Sequence, residues 1–185
     1  MNSPSSSSFV ANRTVVLTGM MGAGKSSVGR KLAARLAVPF VDSDHEIEAA
    51  AGMSVSRFFE TYGEDEFRKG ERRVIARLLD GPVCVLSTGG GAFIDPDTRA
   101  LIKKKGVSIW LKVDVALLVE RATRRDDRPL LRGGDPREIM EKILAERSPI
   151  YAEADLTIES DNRPVEETVD HVMRSVSEFT RAKAS

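Results

Sequence analysis

The sequence predicts a three-layer α/β domain of the P-loop type, with five parallel strands at its centre, a helical substrate-binding insert at about 44–79 and an arginine-rich lid at about 121–137. Three observations predict it. A glycine-rich loop joins an apolar strand to an amphipathic helix near the start. Short β-branched runs alternate with helical periodicity along the chain, and one late segment concentrates arginine. The 185 residues, 41% of them hydrophobic, suffice for one core and are too few for two comfortable ones. A single domain over 13–185 is therefore expected behind a disordered polar tail at 1–12, which holds a serine-rich run.

The first strand is the β-branched run 14–18, followed by GMMGAGKS at 19–26, which fits GxxxxGK[ST]. Val28, Leu32 and Leu36 then recur at helical spacing. A strand that turns through glycines into a helix aims backbone N–H groups and the positive helix end at one point, which favours a polyanion. Gly22, Ala23, Gly24, Lys25, Ser26 and Ser27 are the candidate phosphate cradle. Lys25 reaches the outer phosphates, and the Ser26 hydroxyl is a candidate ligand for the magnesium that accompanies a nucleoside triphosphate.

A second strand at 38–41 ends at Asp42-Ser43-Asp44. Strand ends of a parallel sheet face the ligand crevice, so two carboxylates are expected beside the cradle, one for metal and one for an acceptor hydroxyl. The alternative is capping, with Ser43 and Glu46 forming a capping box. Residues 45–79 show no strand and break at Gly52 and Gly63, which predicts two or three short helices capping the acceptor. Arg68 has an ordinary explanation in an ion pair with Glu64 one turn back. Gly70 in mid-helix implies either a bend or a close approach.

The third strand, 83–87, leads into Gly89, Gly90 and Gly91, whose bare backbone is suited to hug a ligand. Asp95-Pro96 opens a helix that Lys103-Lys104-Lys105-Gly106 closes, with glycine at the C′ position. A fourth strand at 107–111 carries Trp110 as packing. From 121 to 137 there are six arginines, at 121, 124, 125, 128, 132 and 137, against three aspartates; this suits a lid over phosphates, or else a solvated loop. Asp135-Pro136 opens another helix, 155–158 is the fifth strand, and valines at 165, 169, 172 and 176 with Phe179 mark a final amphipathic helix.

Charge excludes some partners. Basic and acidic side chains balance at 28 each, so neither a nucleic-acid surface nor a membrane patch is expected, and no apolar run approaches the ~18 residues of a membrane span. Cys84 reads as a small buried hydrophobe in a reducing cytoplasm, and His45 and His171 as surface residues without a zinc pattern.

The motifs GMMGAGKSSVGR at 19–30, DSD at 42–44, GEDEFRKGE at 63–71, STGGGA at 87–92, RPLL at 128–131 and RSPIY at 147–151 stand in the order and spacing of one family. The chain resembles the shikimate kinases over nearly its whole length. The resemblance implies transfer of the ATP γ-phosphate to the 3-hydroxyl of shikimate by a cytoplasmic monomer. It implies that Lys25 and Ser26 serve ATP and Mg²⁺, that Asp42 holds the metal through water, and that Asp44 binds the acceptor hydroxyl. Arg68, Arg147 and Gly89 to Gly91 would hold shikimate, Arg121 and Arg128 the nucleotide phosphates, and Arg163 would border the adenine. The chain departs from the family's pattern at Ser27, where threonine is common, and at Gly70. A sister kinase such as a gluconate kinase would share the cradle without needing the GGG, Arg68 and Arg147 set. A catalytically idle binding module would have lost Lys25, Asp42, Asp44 or the lid arginines.

Overall fold

The run Thr14–Thr18 forms β1, and all five of its residues are buried. A strand buried on both faces requires a layer of helices on each side, the arrangement of a parallel sheet. The computed structural model describes residues 13–123 and 134–184. After β1 come α1 (Lys25–Leu36), β2 (Phe40–Asp42), α2 (Ser43–Ala51), α3 (Val55–Asp80), β3 (Val85–Ser87) and α4 (Pro96–Lys105). There follow β4 (Gly106–Lys112), α5 (Val115–Thr123), α6 (Pro136–Tyr151), β5 (Leu156–Glu159) and α7 (Val165–Ala184). The five strands are all parallel, in the order β2-β3-β1-β4-β5. The chain leaves β1 toward one edge and returns to its other side at β4. The loop after β1 thus opens at the switch point of the sheet, where ligands of such folds bind.

Register brings the functional loops to one edge. Leu17 of β1 and Asp42 of β2 both pair with Ser87 of β3, so the glycine loop, the DSD sequence and the GGG turn leave the sheet at the same level. The core beneath them is aliphatic, with Val16, Leu17, Ile75, Val85, Leu86, Ile109 and Val172 at 1% exposure or less. Cys84 is buried and the two histidines are exposed, as expected. No helix among the described residues is long and apolar enough to cross a membrane.

Several local expectations change. Gly106 is not a left-handed C′ residue: its backbone is extended and it opens β4 directly. Glycine suits it for a packing reason, since a Cβ there would lie 2.9 Å from the Thr14 carbonyl oxygen. Gly70 neither bends α3 nor meets a close neighbour, because a Cβ would find nothing within 4 Å. The break falls instead at Gly63, with φ 79° and ψ 175°, as its expected role required, and Gly52 caps α2 in the left-handed region. The helix α5 was not anticipated, and its last turn takes up 121–123 of the expected lid. The rest of that lid at 124–133, with Arg128, and the expected tail at 1–12 lie outside the described residues.

Candidate active site

The loop after β1 is shaped by glycines that only glycine satisfies. Gly19, Gly22 and Gly24 have φ of 133°, 79° and 87°, and a Cβ on Gly19 would stand 2.8 Å from the Leu111 carbonyl oxygen. Gly24 is the N-cap of α1 and offers no side chain to the helix, so the first N–H groups of α1 point at the cleft. The Lys25 ammonium donates to the Gly19 and Met20 carbonyls, 2.8 Å each, and so lies across the loop. Ser26 donates its hydroxyl proton to Asp42 Oδ2 at 3.2 Å. Although β3 separates β2 from β1, the second strand still delivers its carboxylate to the phosphate loop.

Asp42, not Ser43, caps α2. Its Oδ1 accepts the Asp44 N–H at 3.0 Å, while Ser43 is the first helical residue and is fully buried. The Ser43 hydroxyl instead accepts the Gly89 N–H at 3.3 Å, tying the DSD sequence to the GGG turn. One carboxylate therefore faces Ser26 and the next faces the turn. The Asp44 carboxyl lies above the usual carboxylate range, first through burial and then through Asp42 and Glu48; Lys25 and His45 oppose this.

The GGG turn is bare because side chains of the site occupy the space its own would fill. A Cβ on Gly89 would lie 2.8 Å from Asp44 Oδ1, one on Gly91 2.2 Å from Arg68 Nη2, and one on Gly90 3.5 Å from Arg147 Nη1. Asp44, Arg68 and Arg147 thus close over one turn from three different elements. The Arg68–Glu64 pair expected from sequence exists at 3.4 Å, but the shorter partner is Glu71 at 2.5 Å. Glu71 is 1% exposed, and burial raises its pKa while Arg68 opposes the rise. Arg68 also faces the Phe67 and Phe59 rings at 5.3 and 6.0 Å, so its guanidinium is held on several sides.

Sequence reasoning missed Glu71 as a partner. The i, i+3 spacing from Arg68 was the available signal, and its burial could not be read from the sequence. At the other end, Arg121 donates to the Gly22 carbonyl at 3.3 Å and the Asp161 carbonyl at 3.1 Å, bridging the phosphate loop and the segment after β5. The Arg163 guanidinium is paired with the Asp161 carboxylate. A cleft of about 820 Å³ runs between these ends, lined by residues 22–27 of the loop, both carboxylates, Gly89, Gly90, Arg121 and Arg163. Arg68 and Arg147 stand behind the turn, outside that lining.

The arrangement has one positive, N–H-rich end and one end with two guanidiniums beside a carboxylate. It suits transfer of a phosphoryl group between a polyphosphate and a small anionic, hydroxylated acceptor. Comparison with known proteins agrees. The shikimate kinase family model matches residues 21–177. A shikimate kinase of Paramagnetospirillum magneticum is 58% identical over 164 residues, 89% of this chain and 84% of that one. The solved shikimate kinase of Acinetobacter baumannii, in complex with shikimate, superposes with a TM-score of 0.88 at 36% identity, covering 94% of this chain and 97% of the other. A gluconokinase of Sinorhizobium meliloti shares the fold at a TM-score of 0.61 and 18% identity, with coverage of 94% and 97%. With its phosphate loop, its paired carboxylates and these likenesses over most of its length, the chain belongs to the shikimate kinase family.

Proposed function

We propose that this protein transfers the γ-phosphoryl group of ATP to the 3-hydroxyl of shikimate, giving shikimate 3-phosphate and ADP. The observation that carries the acceptor assignment is the closure of Arg68, Arg147 and Asp44 over the GGG turn, whose Gly89 and Gly90 line one cleft with Asp44 and the phosphate loop. A carboxylate substrate matches two guanidiniums. A hydroxyl matches Asp44.

In this reading Arg68 and Arg147 take the shikimate carboxylate, and Gly89 to Gly91 let the ring lie close. Asp44 orients the 3-hydroxyl and receives its proton as the oxygen bonds to the γ-phosphorus and the bond to the β,γ-bridging oxygen breaks. The nucleotide phosphates lie on the N–H groups of residues 22–27, with Lys25 on the outer oxygens. Arg121 neutralises them from α5, Arg128 does so from the lid, and Arg163 borders the adenine. The hydroxyl of Ser26 beside the carboxylate of Asp42 fits magnesium, which takes one or two protein oxygens and fills its shell with water and phosphate. When bound, the ion would neutralise the phosphate oxygens. The insert at 44–79 serves as the acceptor cap and the segment at 121–137 as the lid of a cytoplasmic monomer.

The test is ADP release from magnesium ATP with shikimate, gluconate or quinate. Shikimate-dependent turnover in the range of ~1 to 100 s⁻¹ is expected, with little from the other two acceptors. Turnover with gluconate and none with shikimate would overturn the assignment.

A further inference from the structure

Tyr151, the last residue of α6, is fully buried, yet its hydroxyl points at the acceptor turn rather than into apolar packing. The hydroxyl donates to the Gly90 carbonyl at 2.5 Å and lies 3.9 Å from the Met20 sulfur in the phosphate loop. Arg147 is one helical turn earlier on α6, and its charge acts on the same hydroxyl. Burial pushes the phenol pKa up, against the lowering effect of Arg147 and Arg68. The ring packs against Trp110 with centroids 5.8 Å apart, and Trp110 in turn lies against Gly19. Gly90 is the meeting point: a Cβ there would stand 3.5 Å from both Arg147 Nη1 and the Gly19 carbonyl oxygen.

We propose that Tyr151 is a positioning residue for the acceptor: its hydroxyl fixes the Gly90 carbonyl and the Arg147 guanidinium in one arrangement beside the phosphate loop. The ring alone would fill the core equally well as phenylalanine. The hydroxyl serves the turn, because a partly buried carbonyl that loses its donor turns toward another partner and takes its neighbours with it. The inference rests on the shikimate reading for the identity of the acceptor.

The experiment compares Tyr151→Phe with wild type in steady-state kinetics and in calorimetric titration with shikimate. Met140→Val, a packing change at a fully buried position of the same helix, is the control for stability. Tyr151→Phe is expected to raise KM and Kd for shikimate by roughly tenfold, equivalent to about 1.4 kcal/mol, with the ATP KM unchanged. Met140→Val is expected to lower Tm without moving the shikimate constants. The proposal is overturned if Tyr151→Phe binds shikimate as wild type does, or if it loses ATP and shikimate affinity equally. Absence of shikimate turnover in the wild type would instead remove the substrate assignment, so the two failures are distinguishable.

Discussion

At Gly89 and Gly91 the cost of a single methyl group falls on two different side chains, which separates their functions. A Cβ at Gly89 would stand 2.8 Å from Asp44 Oδ1, and a short carboxylate in the first turn of α2 can yield only by leaving its position. Gly89→Ala is therefore expected to lower kcat by about a hundredfold, the scale of a misplacement near 1 Å. A Cβ at Gly91 meets the guanidinium of Arg68, 2.2 Å from Nη2, and so displaces that group and not Asp44. Gly91→Ala is accordingly expected to raise the shikimate KM more than it lowers kcat. Full kinetics with shikimate varied at saturating ATP would check both, and equal effects of the two variants on kcat would contradict the division. The residues of the phosphate loop, the two aspartates, Arg68, Arg147 and the glycines were all legible as candidates because each belongs to a short motif. Glu71 and Tyr151 end two of those motifs but had no role assigned, because the burial of Glu71 and the long-range contact of Tyr151 are set only by the fold. Tyr151 is 61 positions from Gly90.

The helix α3 shows how two glycines of one element differ. Gly63 has φ 79° and ψ 175°, a region open in practice to glycine alone, and the chain changes direction there between the two helical parts of the insert. Gly63→Ala is expected to destabilise the fold by ~1 to 3 kcal/mol. Gly70 has ordinary helical geometry with open space around its Cα, so Gly70→Ala is expected to stabilise by ~0.5 to 1 kcal/mol through helix propensity alone. Urea denaturation of both variants, compared by midpoint, would show shifts of opposite sign; a destabilised Gly70→Ala would mean that the open space is used in another state of the insert. Periodicity and breakers predicted helices over this stretch, and α2 and α3 occupy it. The helix α5 escaped the sequence reading because its residues run into the arginine-rich segment, whose composition had been given to the lid.

Over the whole molecule, charges that balance in number act through where they meet. Asp95 caps α4 by accepting the Thr98 N–H at 2.8 Å, and it also pairs with Arg72 of α3 at 2.8 Å, joining the insert to the GGG side of the sheet. Burial pushes its carboxyl up, but the Thr98 N–H and Arg72 outweigh this and hold it below the ordinary carboxylate value. A carboxyl depressed in the folded state stabilises above its unfolded pKa and loses that contribution as pH falls through the folded one. Asp95→Asn keeps a cap and loses the charge, so it is expected to be less stable than wild type by about 1 kcal/mol at pH 7. The gap should close as pH falls below the ordinary aspartate range; denaturation at pH 7 and pH 3 checks this, and a constant gap would assign the loss to the cap. By itself the sequence determined the strand–loop–helix phosphate cradle, the number of parallel strands and the motif residues, because local propensity, glycine geometry and spacing act within a few positions. Tertiary structure alone decided that β3 stands between β1 and β2. It also decided that Asp42 and not Ser43 is the cap, and that Asp44, Arg68 and Arg147 close over one bare turn with Glu71 and Tyr151 behind them. Those outcomes depend on strand order and on which side chains compete for the same buried space, and neither is encoded in any short stretch of chain.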